Sequence, residues 1–161
     1  MSKESIKKLI KILFIIYYFV LFFILFLYGA RTGNQFHLAV FSKEHIEMVN
    51  IIPFKTIIGF IERMNNSTIN TNIVVQNIFA NLLMFVPMGM ALPVLFKYKF
   101  NKLWKILIFI ICFVFMIEII QFLTFCGSAD IDDVILNTIG CTIGYGIIKI
   151  NFIRKILKLE E

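Results

Sequence analysis

The sequence predicts an all-α, polytopic membrane protein: a single domain over residues 1–161 with four transmembrane helices and a short amphipathic helix in the first outer loop. Three observations predict it. The chain is 60% hydrophobic and only 16% charged, with a mean hydropathy of +0.88, more apolar surface than a soluble domain of this size can bury. The apolar residues fall in runs of about 20, the length that crosses a hydrocarbon core of roughly 30 Å. The net charge of +6 comes from bases clustered beside those runs, a pattern of membrane topology rather than of nucleic-acid binding. Cys112, Cys126 and Cys141 are widely separated, so they offer neither a disulfide framework nor a zinc spacing.

The first span is expected over about 9–30, behind Lys3, Lys7, Lys8 and Lys11. Its apolar run is too long for a signal peptide. The outer loop, 31–73, is the one long polar interval. Within it Phe54, Ile57, Ile58 and Ile61 recur at helical spacing after Pro53, which suits a first-turn position. A helix of about a dozen residues cannot span, so it is expected on the membrane surface or over the bundle mouth. The second span is expected over about 74–96, followed by the basic link Lys97, Lys99, Lys102 and Lys105. The third follows over 106–125 and the fourth over 132–148, before Lys149, Arg154, Lys155 and Lys158. With both termini cytoplasmic, twelve of the sixteen Lys and Arg lie inside, so this multi-pass orientation in the cell membrane is the expected one.

That topology brings the polar residues of three spans to one depth. Asn77 and Asn81 are four apart, Glu118 and Gln121 three apart, Asp130 and Asp133 three apart, and Asp133 and Asn137 four apart, so each helix presents its pair on one face. With Asp132 they form a candidate binding site on the extracytoplasmic side. A carboxylate at the centre of a bilayer costs about 2.5–3.5 kcal/mol on insertion scales, so such groups turn toward the bundle interior or a wet cavity. Two readings stand beside each other: interhelical hydrogen-bond glue, or a site with chemistry in which Glu118 and Asp133 act as general acid and base. No cofactor is required, although Asp130, Asp133 and Glu118 are hard oxygen donors that would suit Mg²⁺ or Ca²⁺. His37 and His45 lie in the outer loop away from every motif, and Ser128 has no nearby His, so no nucleophile with an adjacent base is visible. Gly140 and Gly144 are four apart, with Gly146 beyond, and suit close helix packing.

These same residues carry a resemblance. Asn77-x3-Asn81-x3-Phe85-x-Pro87-x-Gly89, then Glu118-x2-Gln121, then Asp130-x-Asp132-Asp133-x3-Asn137-x2-Gly140, with Asn50-Ile51-Ile52-Pro53-Phe54-Lys55-Thr56-Ile57 upstream, resemble the VanZ-like family over roughly residues 50–146. Members commonly carry an Arg three residues before the first Asp. Gly127 stands there in this chain, leaving Arg31 and Lys55 as substitutes. The resemblance implies a bacterial membrane protein of the cell envelope linked to low-level resistance to teicoplanin and related lipid-tailed glycopeptides. An abundance of Ile, Phe, Lys and Asn suits a Gram-positive host of low GC content. Two functions remain open at this point. In one, the polar site binds a membrane lipid, a lipid-linked cell-wall component or a partner membrane protein; in the other, a membrane-embedded enzyme modifies a lipid-linked envelope component. Nucleic acid is not expected as a partner.

Overall fold

The computed structural model describes residues 3–28, 49–124 and 126–156. Helix α1, Lys3–Phe22, continues into a π-helical segment, Phe23–Tyr28. After the loop come α2, Lys55–Asn65; α3, Thr71–Met84; α4, Val86–Leu95; α5, Leu103–Leu123; α6, Ile131–Lys149; and α7, Asn151–Ile156. Four helical stretches are long and apolar enough to cross a membrane: Glu4–Phe26, Thr71–Leu95, Leu103–Leu123 and Ile131–Lys149. The all-helical, four-span architecture is the one the sequence predicts. Asn50 and Asp130 share the one isolated backbone bridge among the described residues.

Helices α1, α3 and α5 each begin a few residues before the apolar runs do, because helix geometry persists into flanking polar residues that the bilayer length does not count. The second span is two helices rather than one. Phe85 separates α3 from α4, and Pro87 sits in the first turn of α4, where a missing backbone N–H is tolerated. Tyr17 of α1 donates to the Met84 carbonyl at the break at 2.9 Å, a satisfaction that a carbonyl in a dry interior requires.

The fourth span is the hub, with α3, α4 and α5 packed around it and α1 on α4. Backbone approach makes this possible. A Cβ added to Gly140 would lie 2.9 Å from the Leu82 carbonyl carbon and closer still to its oxygen; one on Gly144 would meet Val86 in the same way. Each of these contacts moves four residues along both helices, from 82 to 86 and from 140 to 144. The second and fourth spans therefore run parallel and begin at the same level. Gly89 meets the Cys141 carbonyl equally closely. The third span turns Ile106, Ile110, Val114, Ile117 and Glu118 inward, a stripe of one helix face. Aromatic rings fill the space between α1 and α5, with Tyr18 perpendicular to Phe113 at 6.3 Å and Phe109 stacked on Phe113 at 5.8 Å.

Candidate functional site

The site forms where the fourth span begins. Asp130 is the N-cap of α6, its Oδ1 accepting from the Asp132 N–H at 2.9 Å, the arrangement that satisfies an orphan donor of a first helical turn. The same carboxylate ties the chain to the segment before α2. Asn50 Nδ2 donates to Asp130 Oδ1 at 2.9 Å, and Thr56 Oγ1 donates to Asp130 Oδ2 at 2.5 Å. Backbone bonds complete the junction: Asn50 N–H to the Ala129 carbonyl at 2.8 Å, and Ile131 N–H to the Asn50 carbonyl at 2.9 Å.

Asp132 caps a second helix, not its own. Its Oδ1 accepts from the Phe54 N–H at 2.5 Å, and its Oδ2 from the Thr56 and Ile57 N–H groups at 2.8 and 3.1 Å. These are the free donors at the start of α2, and a carboxylate there is further favoured by the helix dipole. Asp132 is only 1% exposed, so its charge is held by backbone rather than by water. The contact also holds Phe54 at φ 66°, a left-handed conformation that bulky residues rarely adopt. Pro53, expected in the first turn, lies before the helix.

Glu118 is 6% exposed, and its Oε2 accepts from the Asp130 N–H at 3.1 Å. Asp133 accepts from Asn81 Nδ2 of the second span. Asn81 and Asp133 line a polar pocket of about 140 Å³ with Asn77, Ser128, Asp130 and Asp132, roofed by Thr56, Ile57 and Phe60 of α2. Among the described residues no Lys, Arg or His lines it.

The predicted site residues thus divide. Asn81, Asp130, Asp132 and Asp133 are brought together at the pocket, with Asn77 exposed at its edge and its amide turned back to the Ile73 carbonyl at 2.8 Å. Glu118 stands behind Asp130. Gln121 points elsewhere, donating to the Leu25 carbonyl in the π-helical segment of α1 at 3.0 Å. Asn137 is 3% exposed with its Oδ1 unpartnered, and is not among the pocket-lining residues. Among the described residues no three His, Cys, Asp or Glu side chains converge to hold a metal ion; Asp130, Asp133 and Glu118, the suggested ligands, accept hydrogen bonds from the Thr56 hydroxyl, the Asn81 amide and the Asp130 N–H respectively. Lys55 is exposed at the start of α2, and Arg31, His37 and His45 lie outside the described residues.

Sequence reasoning missed Asn50, Thr56, Ile57 and Phe60 as site residues. Their signal was weak: a segment in the outer loop with one amide and one hydroxyl, six residues apart, whose partners lie 74 to 80 residues away.

Two comparisons are empty: no curated protein and no solved structure matches the chain. A family model described as VanZ/LLP1 matches residues 14–154, an interval that takes in the second half of the first span, the other three spans entire and every residue of the pocket. The chain is a membrane protein of the VanZ/LLP1 family.

Proposed function

We propose that this protein is a non-catalytic factor of the bacterial cell membrane, with both termini cytoplasmic, whose pocket binds the head group of an envelope lipid on the extracytoplasmic side and so lowers sensitivity to teicoplanin and related glycopeptides. The observation that carries the reading is Asp133 itself. Asp130 and Asp132 are occupied by backbone N–H groups, Thr56 and Asn50, whereas Asp133 has a neutral amide as its partner and faces a polar cavity. A carboxylate kept at a helix end in such a setting is a recognition group by default. The twelve bases on one side of the spans support the orientation. Among the described residues no hydroxyl or thiol beside a His or Lys lines the pocket, which supports binding over acyl or phosphoryl transfer.

The test is teicoplanin susceptibility of a sensitive Gram-positive host expressing wild type, Asp133→Asn or Glu118→Gln at membrane levels matched by blot. Protection by wild type and its loss in Asp133→Asn is the expected result. Equal protection by all three removes the pocket from the function, and no protection by wild type removes the resistance role. Mass spectrometry of envelope lipids is expected to show no new species; a lipid whose mass changes only with wild type would favour the enzyme, with Glu118 and Asp133 as its acid and base.

A further inference from the structure

Helix α2 carries more apolar surface than the bundle covers. Around its axis, at 100° per residue, Thr56, Ile57 and Phe60 form the arc that roofs the pocket. The next arc holds Ile58 and Ile61, which are exposed, and the far arc holds Lys55, Glu62 and Arg63; Phe54, also exposed, precedes the helix at its left-handed N-cap. No residue of α2 is buried. An apolar arc turned about 120° from the protein contact, with charges opposite both, leaves a lipid surface as the medium that fits it.

Two connections set its depth. The N-terminus of α2 is bonded to the first turn of the fourth span through Asp130 and Asp132, and Thr71, where the second span begins, follows its end at Asn65 by six residues. Those spans begin at one level, so α2 is strung across the end of the bundle, at the height where hydrocarbon gives way to head groups. Ile73, Val75 and Phe79 of the second span are exposed apolar residues as well.

We propose that α2 is a membrane-seated wall of the polar pocket: Ile58 and Ile61 lie in the lipid interface, while Thr56, Ile57 and Phe60 of the same helix shape the pocket. The pocket is thereby open to molecules resident in that leaflet, reached along the membrane plane. This deepens the binding reading by giving the ligand's route, and the seat of the helix does not depend on which ligand binds.

Three tryptophans placed around one helix test it. The chain has a single Trp, Trp104; in a Trp104→Phe background, Ile58→Trp, Phe60→Trp and Glu62→Trp report lipid, pocket and water in turn. The proteins are reconstituted in vesicles of phosphatidylglycerol and phosphatidylethanolamine, with and without acyl chains brominated near the head group. Ile58→Trp is expected to be blue-shifted, to lose most of its emission to brominated lipid, and to resist acrylamide. Glu62→Trp is expected to show the reverse, and Phe60→Trp to be weakly quenched by both. Ile61→Trp repeats the lipid position should Ile58→Trp fold poorly. Acrylamide quenching of Ile58→Trp and Ile61→Trp equal to that of Glu62→Trp overturns the lipid seat; the same at Phe60→Trp overturns the pocket wall. Neither readout uses drug susceptibility, so a failed resistance assay leaves this result unaffected, and the converse.

Discussion

Asp132→Ala should release α2 from the bundle without unfolding the bundle. The substitution deletes an acceptor used by three backbone N–H groups, those of Phe54, Thr56 and Ile57. A hydrogen bond to a charged group contributes about 1.5–3 kcal/mol and a neutral one about 1, so the sum over three bonds exceeds 3 kcal/mol before correction. The correction is rehydration: Phe54 is exposed and Thr56 and Ile57 are only half-buried, so water replaces part of what the carboxylate gave. An N-cap deletion in solvent costs about 1 kcal/mol, and two well-buried acceptor positions raise this to about 2–3 kcal/mol. Because α2 buries none of its own residues, that loss is local. Amide hydrogen exchange in detergent micelles or nanodiscs reads it directly: at tenfold per 1.4 kcal/mol, Thr56 and Ile57 should exchange about 30- to 140-fold faster, while Ile106 to Val114 of the third span keep their protection. Asp132→Asn, which retains one acceptor oxygen, should fall between. Exchange at Thr56 and Ile57 within about threefold of wild type, or an equal rise across all four spans, would refute the reasoning.

Other substitutions test other parts of the framework. Gly140→Ala drives a methyl group into the Leu82 backbone carbonyl, which has no flexible side chain to yield; a loss of about 2–4 kcal/mol, seen as a lower thermal midpoint and lower membrane yield, is expected. Gly146→Ala has open space and should stay within about 0.5 kcal/mol of wild type, with a small gain from helix propensity. Tyr17→Phe removes the donor to the Met84 carbonyl and should lower the same midpoint by the equivalent of about 0.6–1 kcal/mol. Gln121→Leu cuts the tie to Leu25 at similar cost, yet should leave teicoplanin susceptibility at the wild-type value, because that side chain points away from the pocket.

The spans were legible because a bilayer reads length and hydropathy, and both are written in the sequence. The break at Phe85 was not, since Pro87 in an apolar run is equally compatible with a continuous kinked helix. Nor was the π-helical segment, which widens α1 where Gln121 claims the Leu25 carbonyl; a spacing of three put Gln121 on the face of Glu118, but a long amide reaches past its own face. The glycines show the reach and limit of periodicity. Gly140 and Gly144 share one face of α6, whereas Gly146, two residues on, is rotated by about 200° and meets nothing. The helix-capping role of Asp132 leaves no mark in the sequence, because its partners are backbone N–H groups and a backbone donor has no letter there.

The acid run therefore has three addresses, and helix geometry assigns them. Asp130, at the N-cap, must fold back toward the N–H of Asp132, which leaves its carboxylate at the helix end where Asn50 and Thr56 arrive. Asp132 projects past that end to the start of α2. Asp133, a further 100° around the helix, reaches Asn81 and the pocket. Each carboxylate scan thus mixes two quantities, the hold on α2 and the chemistry of the pocket. If Asp130→Asn, Asp132→Asn and Asp133→Asn all abolish protection and all speed exchange at Thr56, the loss reports the roof and says nothing of a ligand. If Asp133→Asn alone abolishes protection while Thr56 and Ile57 keep wild-type exchange, the roof is intact and the missing charge is the one that the envelope component meets.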